Sequence, residues 1–594
     1  MPYVFQPFSL GSVKLLPSMF QQRFDLNRGY MISLRNENLL QNFYLEAGLW
    51  GPRRQSQDCH WGWESPTCQL RGHFLGHWLS GAARTYAATG DAEIKAKADY
   101  IVAELARCQQ ENGGEWVGSI PEKYLDWIAG GKRVWAPHYT LHKTLMGLYE
   151  MYALAGNEQA LDILIKWAKW FHRWIGQFSR EQMDDILDIE TGGMLEVWAD
   201  LYGVTGKQEH LDLLLRYDRP RLFNRLLSGE DALTNQHANT TIPEIHGAAR
   251  AWEVTGERRW RDIVEAYWRQ AVTERGFYCT GGQTCGEVWT PPYELSARLG
   301  DKNQEHCTVY NMMRLAEYLL RWTGDISYAD YWERNLYNGI LAQQHPQTGM
   351  VAYFLPLQGG AVKRWGTPTD DFWCCHGTLV QAHPLHGSNV YYADDDGLVV
   401  CQYIPTVLTW QRAGITVQVT QTADIQLGAT RRPSSLAFDL AIDCAQPATF
   451  ALKLRLPWWL AGAPLITVNS SPESAEPVPS SFYGLQRTWH HDRVHVELPR
   501  QLTICPLPDE PETVAFVDGP VVLAGLCDAE RMLDGDRDLP ETMLTPDNER
   551  EWDSWHPGYR AIGQERGLRF MPLYEITDEP YTVYFPTRST PKLG

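Results

Sequence analysis

No stretch of this 594-residue chain approaches the ~18 consecutive apolar residues that a membrane-spanning helix requires, so no membrane partner is expected. Basic charge is also short. The 53 Lys and Arg against 72 Asp and Glu leave a net charge of −19, which argues against nucleic acid, because phosphate contacts need a basic surface. The opening residues Met1-Pro-Tyr-Val-Phe-Gln-Pro-Phe lack the basic run and apolar core of a secretory leader, so a cytoplasmic location is expected. Cysteine is sparse, 12 in the whole chain, and without an export signal this favours reduced thiols over a disulfide framework. The paired Cys-x-x-Cys spacing of a zinc ribbon is absent as well. Tryptophan, by contrast, is abundant at 25 residues, which suits a large core and also sugar-stacking surfaces.

The chain changes character near residue 393. Before it, an aromatic residue followed by small residues and a glycine recurs: Tyr86-Ala-Ala-Thr-Gly90, Tyr152-Ala-Leu-Ala-Gly156, Tyr202-Gly-Val-Thr-Gly206, Trp252-Glu-Val-Thr-Gly256 and, more loosely, Arg321-Trp-Thr-Gly324. Each copy ends one helical pattern and precedes another, and glycine suits the left-handed position that terminates a helix. One helical hairpin per interval predicts a closed α/α toroid, with an open solenoid as the alternative; the long irregular loops between hairpins favour closure. After residue 393 the hydrophobic period becomes two. Phe450, Leu452, Leu454 and Leu456 alternate with Ala451, Lys453 and Arg455, and Val494, Val496 and Leu498 alternate with His495 and Glu497, as in half-buried strands of a β-sandwich. Residues 530–565 are polar and read as a long loop, and the end of the chain returns to strand. The expected organisation is a helical barrel over 1–393, a β-sandwich over 394–528 and a small β module over 529–594, whose terminal β modules offer a surface for a homodimer.

Two elements carry chemistry. Cys374 and Cys375 are adjacent in Asp371-Phe-Trp-Cys-Cys-His-Gly, read as an aromatic loop, and Glu305-His-Cys307 lies just before a helix beginning near Val309. Three thiolates and a carboxylate suit tetrahedral zinc, and a thiolate at a helix N-terminus is stabilised by the helix dipole. The residues alone leave a second reading open, two buried cysteines and an unrelated Glu-x-Cys. Two histidine pairs, His73/His77 and His138/His142, have the spacing to share one helical face; hydrogen bonding, or metal binding, is open to each.

The runs Glu305-His-Cys-Thr-Val-Tyr-Asn-Met, Phe372-Trp-Cys-Cys, His237-Ala-Asn-Thr-Thr-Ile-Pro and Gly192-Gly-Met-Leu-Glu-Val resemble the zinc- and cysteine-dependent β-L-arabinofuranosidases, glycoside hydrolase families 127 and 146. The resemblance extends over roughly residues 5 to 530 and implies an (α/α)6 barrel followed by β-sandwich domains. It implies that Glu305, Cys307, Cys374 and Cys375 bind Zn2+, that Cys374 is the nucleophile of a retaining two-step hydrolysis, and that Glu287 in Cys285-Gly-Glu-Val-Trp is the acid/base. It further points to His246, Glu333 and Tyr353 as pocket residues, alongside His142 as a substrate contact. His237, Asn239 and Glu196 lie in recognisable motifs that can equally serve to hold loops.

The expected ligand is a small oligosaccharide or glycoside ending in β-linked L-arabinofuranose or a similar L-sugar. Some members of the group carry a histidine where this chain reads Gly193-Met194, a departure that alters the polarity of the pocket. The alternative function is an (α/α)6 carbohydrate-active enzyme that uses a carboxylate pair, as inverting hydrolases, lyases or epimerases do, with Asp184, Asp185 and Glu196 as candidates and zinc in a structural role.

Overall fold

All five repeat glycines sit at helix C-caps in the left-handed region, with φ of 76° at Gly90, 66° at Gly156, 63° at Gly206, 76° at Gly256 and 68° at Gly324. The next helix starts at once. Asp91 accepts the backbone N–H groups of Glu93 and Ile94, and Asn157 accepts that of Ala160, so at these two corners glycine plus a capping residue makes the tight turn. The computed structural model describes residues 3–49, 59–424, 434–546 and 558–588.

The helices of the barrel are α1 (Met19–Ser33), α2 (His73–Thr89), α3 (Ala92–Glu111), α4 (Pro137–Ala155), α5 (Glu158–Ile175), α6 (Met194–Thr205), α7 (Gln208–Arg216), α8 (Ala238–Thr255), α9 (Arg258–Trp268), α10 (His306–Thr323), α11 (Ser327–Asn335) and α12 (Cys374–Ala382). The even-numbered helices form an inner ring in which each packs on the next, and α12 returns to pack on α2. The odd-numbered helices lie outside, α3 to α11 each against the inner helix preceding it and α1 against α12. This closure makes an (α/α)6 barrel and rules out the open solenoid.

Inner and outer helices differ as their positions demand. Every residue of α12 is buried, and so is α2 from His73 to Thr85, whereas α5 buries one stripe, Ala160, Ile163, Leu164, Trp167, Ala168, Phe171, Trp174 and Ile175. The α2–α4 crossing is backbone to backbone. A Cβ on Gly76 would fall 2.0 Å from the carbonyl carbon of Lys143, and one on Gly147 would fall 2.5 Å from the Gly76 oxygen.

The strands after the barrel form two sheets. A ten-stranded sheet is built around Ser435–Leu456 and Ser481–Pro499, which pair antiparallel from Ser481↔Leu456 to Pro499↔Ser435 with an irregularity at Trp489/His491. Phe450, Leu452, Leu454 and Leu456 are buried as the alternation predicts. Arg455 is buried too, because its face of the strand meets the barrel rather than water. The opening strands Gln6–Pro7 and Val13–Leu15 also pair into this sheet, through Gln6↔Ala393 and Val13↔Leu408.

The second sheet has nine strands. It begins earlier than the sequence suggested, because Leu502–Leu507, Glu510–Asp518 and Val521–Leu526 pair with one another and with Arg569–Pro572 and Phe585–Arg588. Within the expected 530–565 loop lie the short strands Leu533–Asp534, Leu544–Pro546 and Tyr559–Ala561, while 547–557 fall outside the described residues. Among the described residues no helix is long and apolar enough to cross a membrane, and all the cysteines are unpaired.

Candidate active site

Two helix N-termini converge on the cysteines. Glu305 is the N-cap of α10 with Cys307 two residues on, and Cys374 and Cys375 are the first two residues of α12. The aromatic loop expected at the cysteines is therefore the start of an inner helix. It is entered through Phe372, whose φ of 48° turns the chain sharply. Both helices direct free N–H groups and the positive end of the helix dipole at the cluster, which favours anions there.

The four side chains are buried, and their ligand atoms all lie within 4.8 Å of one another. Cys307 Sγ and Cys375 Sγ are 3.4 Å apart, Cys374 Sγ and Cys375 Sγ 3.9 Å, and Cys374 Sγ and Glu305 Oε1 3.5 Å. A tetrahedron with Zn–S bonds of ~2.3 Å has edges of about 3.8 Å, so the donor set and its spacing fit such an ion. Electrostatics point the same way. Burial pushes the Cys307 and Cys375 thiols and the Glu305 carboxyl well up, while hydrogen bonds from Cys307, Cys375 and Tyr353 hold Cys374 well below the usual thiol range. Among the described residues no lysine or arginine forms an ion pair with the group. A buried cluster of acidic donors calls for a cation.

The cluster forms part of the wall of a cavity of about 840 Å³. Cys374 and Glu305 line that cavity; Cys307 and Cys375, wholly buried, do not. Tyr353 also lines it, with its hydroxyl 3.7 Å from Cys374 Sγ and hydrogen-bonded to Glu287 Oε1.

Glu287 is presented by a tight hairpin. Thr284–Cys285 and Val288–Trp289 pair, and the two turn residues Gly286 and Glu287 have φ of 58° and 70°. Positive φ at both turn positions matches the twist of a two-residue hairpin, but a glutamate there is strained. The turn is pinned to the start of α8, where the Ala238 N–H donates to the Glu287 carbonyl. His237, the N-cap of α8, accepts the Thr240 N–H at Nδ1 and places Nε2 3.4 Å from Glu287 Oε2. With Nδ1 accepting, the ring proton sits on Nε2 and faces the carboxylate. His237 and Tyr353 together hold Glu287 below its ordinary range against burial and the Cys374 charge, which raise it.

None of the remaining expected pocket residues, His142, His246 and Glu333, lines the cavity. His142 is buried with neither ring nitrogen bonded, and it packs under Gly193 so closely that a Cβ there would fall 2.4 Å from its Cε1. The Gly193-Met194 branch and this imidazole therefore go together. His246 does not reach the cavity, because Nε2 is bonded to the Asn311 carbonyl and Nδ1 to Arg314, within a buried network that includes the Arg314–Glu196 ion pair.

Glu333 does not reach the cavity either. Its carboxylate is held by Arg455 and by Trp459 Nε1 at 2.8 Å, which ties α11 to the β-sheet. His138 is saturated by the Glu190 carbonyl and the Tyr217 hydroxyl, and His73 and His77 converge on the Tyr139 hydroxyl at 3.3 Å each. The carboxylates of the alternative mechanism are committed elsewhere, Asp184 to Arg180, Asp185 to Arg221 and Glu196 to Arg314.

Sequence reasoning missed several wall residues. Trp63, Trp135, Tyr139 and Glu190 all line the cavity. Glu190 accepts the His138 and Tyr139 N–H groups at the start of α4, and burial raises it to about 7. Lys143, one turn on from Tyr139, is buried with its ammonium 4.8 Å from the Tyr139 ring centroid and is pushed down to about 8 by burial. The short spacing of Tyr139, His142 and Lys143 along α4 was the available signal for the last of these.

A closed (α/α)6 barrel with an acidic, sulfur-rich centre in a deep cavity defines the class. Residues 12–388 match the sequence model of the beta-L-arabinofuranosidase GH127 catalytic domain, and residues 397–500 match that of the GH127 middle domain. The chain belongs to this GH127 family of glycoside hydrolases. Among curated proteins it is similar to the non-reducing end beta-L-arabinofuranosidase of Bifidobacterium longum subsp. longum, at 25% identity over 464 residues. That alignment covers 66% of this chain and 65% of the relative, so it spans a little under two thirds of the relative's length. Among solved structures it is similar in fold to a GH127 beta-arabinofuranosidase, with a TM-score of 0.75, 19% identity and 99% of each chain covered. It is similar likewise to a GH127 beta-L-arabinofuranosidase from Geobacillus stearothermophilus T6, with a TM-score of 0.71, 18% identity, and 97% of this chain and 100% of that one covered.

Proposed function

We propose that the protein is a retaining exo-glycosidase that releases β-linked L-arabinofuranose, with the Cys374 sulfur as nucleophile, Glu287 as acid/base and zinc held by Glu305, Cys307, Cys374 and Cys375. The observation that carries this reading is that Cys374, alone among the three cluster cysteines, lines the cavity. Zinc bound there would keep the sulfurs deprotonated at neutral pH.

In the first step the Cys374 sulfur attacks the anomeric carbon, the C–S bond forms, the glycosidic C–O bond breaks, and Glu287 gives its proton to the leaving oxygen. In the second, Glu287 takes a proton from water, the water oxygen bonds to the same carbon from the vacated face, and the C–S bond breaks. Two inversions give net retention. The surroundings of Glu287 change between the two steps. Before attack the negative charge on Cys374 opposes ionisation of the carboxyl, although the His237 and Tyr353 donors outweigh it and hold Glu287 low. Conversion of that sulfur to a neutral thioether removes the charge, leaving the His237 and Tyr353 donors to favour the carboxylate that activates water.

Tyr353 keeps Glu287 and the sulfur in register. His142 keeps two unbonded ring nitrogens buried behind Gly193 and does not itself line the cavity. The unpaired cysteines favour a reducing, cytoplasmic setting.

The test is hydrolysis of methyl β-L-arabinofuranoside with the released anomer followed by proton NMR. Retention by the wild type, and loss of turnover in Cys374→Ser with the fold intact by circular dichroism, are expected. Inversion, or full activity in the variant, would overturn the reading.

A further inference from the structure

The cluster of Glu305 with the three cysteines has a further contact on Cys307, the first of its two sulfurs that do not reach the cavity. Thr378 lies in α12 one turn beyond Cys374 and three residues beyond Cys375, so it shares their face of the helix. Its hydroxyl oxygen is 3.3 Å from Cys307 Sγ, 2.8 Å from His306 Nδ1 and 3.4 Å from the Cys375 carbonyl oxygen. His306 is the first residue of α10, between Glu305 and Cys307 in the chain. One threonine of α12 therefore meets two successive residues of α10. Thr378, His306 and Cys307 are all buried.

The direction of these hydrogen bonds follows from what has no partner. Nε2 of His306 is buried without a hydrogen-bond partner among the described residues. An orphaned buried N–H is costly, and a bare acceptor is tolerated more often. The ring proton therefore belongs on Nδ1, where it donates to Thr378 Oγ1. The threonine's own proton is then free for a different acceptor, and two are in reach. The Cys375 carbonyl lies inside α12, where a backbone N–H one turn on already fills it. The Cys307 sulfur is slightly closer and, once ionised, is the stronger acceptor, because hydrogen bonds to charged groups are roughly twice as strong as neutral ones.

We infer that Thr378 is a positioning residue for the metal centre: its hydroxyl donates to the Cys307 sulfur, oriented by the Nδ1–H of His306. This rests on the reading of the cluster as a zinc site. A divalent cation offsets only part of the charge of three thiolates and a carboxylate, so a donor aimed at a buried sulfur stabilises the loaded cluster. It also fixes the direction of the Cys307 side chain, as outer hydrogen bonds to metal ligands do. Cys307 is thereby the anchored sulfur, and Cys374, which lines the cavity, is the one left to react.

The test measures zinc affinity by competition with a chromophoric chelator, and the absorption spectrum of the cobalt-substituted protein, for wild type, Thr378→Val and Thr378→Ser. Valine keeps the shape and loses the hydroxyl. Thr378→Val should lose about ten- to a hundredfold in zinc affinity, the usual cost of removing such a partner. Its sulfur-to-cobalt charge-transfer band should move to lower energy, because a thiolate without its donor gives up an electron more readily. Thr378→Ser should return the band to its wild-type position and most of the affinity. Lost affinity with an unmoved band would make Thr378 a packing residue and overturn the inference, as would wild-type affinity in Thr378→Val. If the wild type takes up neither metal under reducing conditions, the zinc reading fails by itself. The tautomer of His306 then decides the hydrogen bond, read from ring nitrogen resonances of histidine-labelled protein and assigned by their loss in His306→Asn. A proton on Nδ1 supports it, and a proton on Nε2 overturns it; the same measurement decides if Thr378→Val does not fold.

Discussion

The Tyr353 hydroxyl lies 3.7 Å from Cys374 Sγ while hydrogen-bonded to the Glu287 carboxylate, so a single O–H bridges the sulfur and the carboxylate. One proton cannot serve both acceptors at once. It stabilises negative charge on whichever carries more of it, which in the proposed mechanism is the sulfur before attack and the carboxylate afterwards.

Replacement of Tyr353 by Phe should lower kcat by roughly ten- to a hundredfold, the range for one hydrogen bond to a charged group. KM should change little, because the ring that packs against Trp63 and Trp373 remains. The same variant should raise the pH at which metal-free protein reacts with iodoacetamide, since the hydroxyl helps hold the Cys374 thiol down. An unchanged alkylation profile would show that the bridge does not stabilise the thiolate.

His237 is the largest influence lowering Glu287. Removing it in His237→Ala raises the pKa of the carboxyl. The proposed first step needs Glu287 protonated, so the alkaline limb of kcat/KM should move to higher pH, by up to about one unit. A limb that moves down, or does not move, would separate His237 from the acid/base.

What the sequence made legible was local. The five helix-ending glycines were readable because left-handed φ is a property of one residue, and they are enough to count hairpins. The start of α12 was not readable, because its N-cap Trp373 offers no side-chain acceptor and the turn rests on a left-handed Phe372 that no residue pattern marks. Arg455 fell on the face an alternating strand would give to water, and only the barrel beside it explains its burial. Trp63 and Trp135 reach the same wall from separate loops, a proximity set by the closure of the barrel. The cluster of Glu305 with the three cysteines was the exception among long-range features. Its residue types are rare enough that two short motifs, far apart in the chain, already suggested one site.

Cys375 tests the metal without touching the cavity. It is wholly buried behind Cys374, so Cys375→Ser leaves the wall chemically intact while removing one of three sulfurs. Metal analysis should find about one zinc per chain in the wild type, and little in the variant. Chelation of the wild type should abolish activity and lower Tm, and zinc should restore both; the variant should respond to neither treatment. Full zinc content in Cys375→Ser would remove this residue from the ligand set.

Glu333 separates a structural carboxylate from a binding one. It is buried against Arg455, which also donates to Asp330 at 2.6 Å, and the three together join α11 to the strand Ser435–Leu456. Breaking a buried pair by removing one partner typically costs about 3–5 kcal/mol, because the other charge stays behind uncompensated. In Glu333→Gln, Asp330 remains to compensate Arg455, so the loss should fall toward the lower end of that range and appear as a clear drop in Tm. In Arg455→Met two carboxylates are left facing each other in the interior, and the loss should be larger. KM and kcat measured well below the new Tm should stay within about twofold of wild type in Glu333→Gln. A rise in KM with Tm unchanged would instead return Glu333 to the substrate, against its distance from the cavity wall.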